Sequence, residues 1–245
     1  MKTDIIVHTL TIEHPTVQSV LQIAEEIMAK NQILNIENLY NIAKRRLKIP
    51  RKGLLSIIQF LINKKFLIEG SKYSRDTVLL NYLRKNIYRF IKTQGAVHFS
   101  FIRKRFNSDS EVTLTSSGQL IWHLEMLIKF KFIKKIKVGN YTVFLPTDMD
   151  EELGVIHFLL KDKLNKKIII LTYKQELIKR SEVYKILNEK RENVYYRIKN
   201  LIENDILSLK QEPNKEIFIN TNKKELLDEI LKKNQPYKKS NNITT

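Results

Sequence analysis

Between residues 116 and 137 the chain concentrates side chains that suit a polyanion. Lys135 and Lys137 alternate with Ile136 and Val138, so the period of a strand puts both ammonium groups on one face. That face suits phosphates, and a solvated strand face is the plainer reading of the same pattern. Just upstream, Leu120, Leu124, Leu127 and Ile128 repeat at helical spacing, which leaves Gln119, Trp122, His123, Met126 and Lys129 off the apolar stripe. A helical glutamine can bond both the N6 and N7 positions of an adenine edge. Ser116 and Ser117 suit a helix cap, and the first amides behind them suit phosphate oxygens. Trp122 fits a DNA contact and a protein contact about equally well. Arg103, Lys104 and Arg105 add charge before this helix. A second group, Lys190, Arg191, Asn193, Tyr196, Arg197 and Lys199, surrounds the start of another helix.

Other chemistry finds few residues to carry it. The absence of cysteine excludes disulfides, thiolate metal sites and thiol catalysis. The five histidines, His8, His14, His98, His123 and His157, form no HExxH pattern. No nucleophile elbow, phosphate-binding glycine loop or paired-carboxylate signature occurs. Asp148, Asp150, Glu151 and Glu152 cluster on a linker, where they read as solvated and helix-capping. No reaction, metal or cofactor is expected.

The elements that must position these groups emerge from an internal repeat. Three segments, 54–67, 120–133 and 194–207, align without gaps at six apolar columns. The columns are Leu54/Leu120/Val194, Ile58/Leu124/Ile198, Leu61/Leu127/Leu201, Ile62/Ile128/Ile202, Phe66/Phe132/Ile206 and Leu67/Ile133/Leu207. The first four sit at i, i+4, i+7 and i+8, one stripe of a helix. The last two follow a short polar break and begin an extended segment. A helix passing through a tight turn into a strand is half of a winged helix-turn-helix. In the middle copy the remaining elements read as helices over 82–92 and 99–106, with Gly95 ending the first. His98 then ends a loop. A hairpin follows over 133–138 and 141–145, turning at Gly139-Asn140. The third copy reads as helices over 164–173, 181–188 and 192–204 and a hairpin over 206–219 around Pro213-Asn214. The first uses 17–30, 36–47 and 52–64, with a truncated wing over 66–73. A strand is expected over 4–12.

The expected fold class is therefore mainly α with small β-wings, in three tandem winged helix-turn-helix units. The domain reading is 1–79 for a degenerate first unit and 80–147 for a central DNA-binding unit. It continues with 148–234 for a linker helix plus the third unit, and 235–245 for a disordered tail. The chain has 245 residues, 44 Lys plus Arg against 26 Asp plus Glu, and a net charge of +18. Residues 80–147 hold 12 basic and 3 acidic side chains, half of that excess in under a third of the length. Rich Ile, Lys and Asn suggest an AT-rich genome, to which part of the lysine excess belongs. No signal-peptide core and no run of 18 apolar residues occurs, so a cytoplasmic protein without integral membrane association is expected.

The middle unit resembles archaeal winged helix-turn-helix transcriptional regulators of the broad ArsR/MarR-like type. The resemblance rests on residues 87–91, Gly95-Ala96-Val97-His98-Phe99 and 117–127, and the third unit is similar through 193–201. It implies a sequence-specific DNA-binding regulator whose partner is double-stranded DNA, alone or with a second copy or a protein partner. The connection 107–115 is longer than the usual turn between the second and third helices. Winged helices also serve as adaptors, as in the ESCRT-II complex, or in basal transcription machinery, and those readings stay open. For the first unit, Arg51, Lys52, Ser56 and Gln59 occupy the comparable places, but its missing wing favours a packing or partner role. The repeat predicts that Ile58, Leu124 and Ile198 are all buried.

Overall fold

The computed structural model describes residues 10–107, 116–211 and 215–233, with the side chains of the last two residues left aside. The expectations at 4–12, 107–115, Pro213-Asn214 and 235–245 fall wholly or largely outside these residues, as does His8. The chain forms two compact units, Met1–Thr93 with Ser100–Lys134, and Gln94–Phe99 with Lys135–Thr245. This division runs through residues 80–147, leaving most of their helices in the first unit and most of their hairpin in the second.

The first unit opens with α1 (Pro15–Ala29), α2 (Ile36–Leu47) and α3 (Arg51–Asn63). Pro15 sits at the start of α1, where a backbone N–H would find no acceptor within the helix, and Asn35 caps α2 by accepting from the Asn38 N–H at 2.9 Å. The three helices share one apolar core that includes Val20, Ala24, Leu39, Leu54, Ile58 and Leu61. The turn between α2 and α3 takes three residues. Lys48 stops α2 in the left-handed region (φ 49°), and Pro50 then stands in the cap position of α3. No wing strand occurs over 66–73; instead Leu34 N–H donates to Ser71 O and Gly70 N–H to Leu34 O, both at 2.9 Å. A short α4 (Arg75–Val78) follows, closed by a Ser74/Thr77 capping box. Then come α5 (Tyr82–Gln94), α6 (Phe99–Asn107) and α7 (Ser117–Lys129). Phe90 bridges α5 to α6 through ring contacts with Phe101 and Phe106 at 5.7 and 5.8 Å.

The second unit contains two three-stranded antiparallel sheets. The first joins β1 (Val97–His98), β2 (Ile133–Val138) and β3 (Tyr141–Pro146) in the order β1-β3-β2, with Val97 opposite Phe144. His98 thus lies on a strand and not in a loop. Then follow α8 (Glu151–Leu159), α9 (Lys163–Gln175), β4 (Ile178–Lys179), α10 (Arg180–Leu187), α11 (Arg191–Glu203), β5 (Leu207–Lys210), β6 (Glu216–Ile219) and α12 (Thr221–Lys233). The second sheet has the order β4-β6-β5, with Leu207 opposite Ile219. Along the chain the order helix, short strand, helix, helix, hairpin therefore occurs twice, with the same sheet order each time. The chain is mostly helical with small antiparallel sheets, an arrangement consistent with a winged helix.

The repeat columns keep their places. Ile58, Leu124 and Ile198 are all buried, and so are the first, third and sixth columns. One detail explains the polar break after each helix. Lys65, Lys131 and Asp205 occupy the same column and all have positive φ (61°, 55° and 58°). In each copy the next residue's N–H reaches back to the carbonyl of the third column: Phe66 to Leu61, Phe132 to Leu127, Ile206 to Leu201, each 2.9 Å. The positive-φ residue itself donates to Ile62, Ile128 or Ile202 at 2.9–3.0 Å. These paired bonds are a Schellman stop, which satisfies carbonyls that the helix end leaves open and turns the chain sharply.

A lysine at such a position keeps a Cβ clash that glycine lacks, about 1–2 kcal/mol, against about 0.5–1 kcal/mol of extra backbone entropy that glycine loses on folding. Lys131→Gly should therefore stabilise the first unit by about 0.5–1 kcal/mol, whereas Lys131→Val should destabilise it. Urea unfolding of the two variants checks this, and a less stable glycine variant would contradict the turn geometry.

Candidate nucleic-acid interface

In the first unit, α7 begins as the sequence requires. Ser116 is the cap residue, its Oγ accepting from the Gln119 N–H at 3.1 Å, and Ser117 is the first helical residue. Leu120, Leu124 and Leu127 are buried, while Ile121, Trp122 and Lys129 are exposed and Gln119 is half-buried. Arg103 and Arg105 are exposed on α6.

His123 corrects the sequence reading: it is 2% exposed and cannot reach a base edge. It lies three residues after Leu120 and four before Leu127, so a stripe only slightly wider than the repeat columns takes it inward. Burial, with a smaller effect from the charge of Arg84, lowers its pKa from 6.5 to about 4, which leaves the ring neutral at physiological pH. Arg84 is the residue that sequence reasoning missed. It is fully buried on α5, beside the inward positions Ile87 and Ile91. One guanidinium nitrogen donates to Val78 O at 2.7 Å, and the plane lies 4.6 Å from the Trp122 ring centroid and 5.1 Å from that of Tyr73. The available signal was position, since Arg84 stands three and seven residues before Ile87 and Ile91 on the buried stripe. Trp122 therefore gives one face to Arg84, meets the His123 ring in a T-shaped contact at 4.9 Å, and keeps 44% of its surface exposed.

In the second unit, β2 presents Lys135 and Lys137 to solvent and turns Val138 inward, as alternation requires. Gly139, with φ 55°, supplies the positive φ that the turn into β3 needs. Lys161 donates to Gln94 O and Ala96 O, both at 2.8 Å, and closes the end of α5. Desolvation of the ammonium at these carbonyls lowers its pKa from 10.5 to about 8.

The turn between α10 and α11 repeats the one between α2 and α3. Asn188 is left-handed (φ 50°), two residues follow, and α11 starts at Arg191. Lys190, Arg191, Asn193 and Tyr196 are exposed there. Arg191 and Arg180 both lie over the ring of Tyr195, at 5.1 and 4.1 Å. An open cleft of about 400 Å³ runs beside α11, lined by Arg180, Tyr195, Tyr196, Lys199, Ile202 and Leu209.

Arg197 is a second correction. Its guanidinium is held 3.0 Å from a carboxylate oxygen of Asp162, the cap residue of α9, and does not project from the helix start as a free cation. Burial pushes the Asp162 pKa up. The N–H of Asn165, the side chain and charge of Arg197 and the N–H of Leu164 more than offset that, and the net pKa is lowered. Lys199 pairs with Glu203 one turn on, at 3.7 Å.

No family model matches the chain. Over 167 residues it is 31% identical to an uncharacterized HTH-type transcriptional regulator of the archaeon Methanocaldococcus jannaschii, a match that covers 68% of this chain. The chain spans 39% of the length of that relative. No helix among the described residues is long and apolar enough to cross a membrane.

Two outcomes follow from the pairings. A histidine buried neutral must be charged as the chain unfolds in acid, so the stability it permits is present above pH 6.5 and is lost as pH falls towards about 4. The loss should reach at most about 3 kcal/mol in the first unit. His123→Phe should flatten that part of the pH profile in urea titrations, and an unchanged profile would contradict the burial. Arg197→Ala should lower the thermal stability of the second unit by about 1 kcal/mol. It should change DNA affinity far less than Arg191→Ala, as read by melting and by duplex titration.

Proposed function

We propose that the chain is a sequence-specific, DNA-binding transcriptional regulator with three tandem winged helix-turn-helix units of the ArsR/MarR-like type. The observation that carries the reading is the α10–turn–α11 pair, which sits with its hairpin inside one compact unit and presents Lys190, Arg191, Asn193 and Tyr196 outward. Cations and a short amide around the start of the third helix match what a major groove offers: phosphates on the rim and base edges within. The similarity to an HTH-type regulator supports the same class. On β2, Lys135 and Lys137 add a cationic face of the kind that neutralises phosphates.

Ser116, Ser117, Gln119 and Lys129 of α7, with Arg103 and Arg105 of α6, are assigned to the same task in the middle unit. His123 and Arg197 are not. A second reading, a protein-binding adaptor, draws support from Ile121 and Trp122, which keep 46% and 44% of their surface exposed on α7. No reaction is proposed.

Phosphate contacts release counterions and carry no sequence information, whereas base contacts do the reverse. Replacing Lys135 and Lys137 together by alanine should weaken binding to all duplexes alike and flatten the log–log salt slope by about 2. Replacing Gln119 or Asn193 should cost roughly 1–3 kcal/mol on the preferred site, little on scrambled DNA, and leave the slope unchanged. Titration of matched preferred and scrambled duplexes across a salt series tests both. If no variant alters DNA binding and Trp122→Ala abolishes capture of a protein partner, the adaptor reading replaces this one.

A further inference from the structure

The amino-terminal helix pair deserves a role that its missing wing had taken from it. Between residues 38 and 68 the chain has eight lysines and arginines and no aspartate or glutamate. They are Lys44, Arg45 and Arg46 in the last turn of α2, Lys48 in the turn, Arg51 and Lys52 at the start of α3, and Lys64 and Lys65 past its end. All except Lys65 are exposed. The net +5 of residues 1–79 thus hides a segregation, because all 7 acidic residues of that stretch lie outside 38–68.

Pairing separates a working cationic surface from an ordinary solvated one. Around α10 and α11 about half of the cations have a carboxylate partner: Lys167 has Glu189, Lys179 Glu182, Arg197 Asp162 and Lys199 Glu203, while Lys190 and Arg191 stay available at the helix start. Of the eight amino-terminal cations, only Arg46 has a carboxylate partner among the described residues, Glu26. The five cations around the turn that lack a carboxylate partner, Lys44, Arg45, Lys48, Arg51 and Lys52, repel one another, a cost that a bound polyanion offsets. The geometry is that of the other tight helix-turn-helix. Lys48 and Asn188 hold the same left-handed place (φ 49° and 50°), and α3 faces outward with Arg51, Lys52, Ser56 and Gln59 while Leu54, Ile57, Ile58 and Leu61 turn inward. At 13 residues α3 is about 20 Å long, enough to lie along a major groove.

We infer that the α2–turn–α3 face is a further duplex-binding surface that grips phosphates, in addition to those assigned to the middle and third units. This rests on the DNA-binding reading above. With Ser56, Gln59 and Asn63 as its only exposed uncharged polar side chains on α3, the surface contributes affinity and salt dependence much more than sequence preference.

The test uses the full chain on a random-sequence duplex of about 30 base pairs. Each phosphate contact contributes about 0.9 to the log–log salt slope. Arg51→Ala with Lys52→Ala should flatten the slope by about 2, with an unshifted urea midpoint, and the exchange Arg51→Lys with Lys52→Arg should restore it. Lys44→Ala with Arg45→Ala gives the same readout on α2 if the first pair disturbs folding. A wild-type chain that binds duplex with a slope unmoved by both amino-terminal pairs overturns the inference and leaves the DNA reading standing. A wild-type chain that fails to bind duplex overturns both. Loss of binding to poly-glutamate, with duplex binding intact, would assign the face to an acidic protein instead.

Discussion

The left-handed residue after each third helix controls what the rest of the chain can do. Lys65, Lys131 and Asp205 each break a helix whose inward stripe has just ended, and each sends the next two residues back towards the apolar interior. A right-handed residue there would continue the helix and carry Leu67, Ile133 or Leu207 round to another face. In two copies the turn also launches the hairpin, so the exposed face of β2 depends on a backbone dihedral several residues earlier. The steric cost of a positive φ in a lysine is tolerated because two hydrogen bonds and a buried apolar pair reward the turn at the same moment.

This explains which parts of the fold were legible. The helical stripes could be read because burial imposes a period of 3.6 on residue type, and three ungapped copies make the pattern hard to produce by chance. The stop itself was visible only as a polar break, since its usual marker, glycine, is absent from all three copies. His123 was misplaced because polar type outweighed position, although its spacing from Leu120 and Leu127 put it at the edge of the buried stripe. Arg84 escaped for the same reason. The compact units could not be read at all. They depend on which finished surfaces meet, and nothing local in residues 80–147 records that their helices and hairpin separate.

Charge shows the same gap between type and use. A sequence reveals where cations are, but their availability depends on neighbours that only the fold supplies. Arg197 stands at the outward start of α11 and looks like a phosphate ligand, yet Asp162, thirty-five residues earlier, holds it. Lys223 is buried with its ammonium between Glu152 and Asp205 at 2.9 and 3.9 Å, so it is part of the packing and contributes no outward field. Lys135, Lys137 and, apart from Arg46, the cations around α2 and α3 stand in the opposite condition. The net +18 is therefore a poor guide to the surface field, because cations such as Arg197 and Lys223 are held by carboxylates of the fold.

Trp122 decides how far an apolar outer face on α7 argues for a protein partner. Taken by type, an exposed tryptophan on a third helix points away from DNA and towards an interface. Its surroundings change the weight of that argument. The ring covers a fully buried guanidinium whose Nε and Nη2 have no hydrogen-bond partner among the described residues, and a buried charge left so incompletely paired needs compensation nearby. A desolvated cation over an indole face is worth about 2 kcal/mol, more than the same contact in water. Trp122 therefore already has an internal task, fastening α7 to α5, and its size is accounted for without an external partner. What remains for a protein surface is Ile121 and the uncovered edge of the indole. That is a small patch beside Gln119 and Lys129, too small by itself to argue for a protein partner.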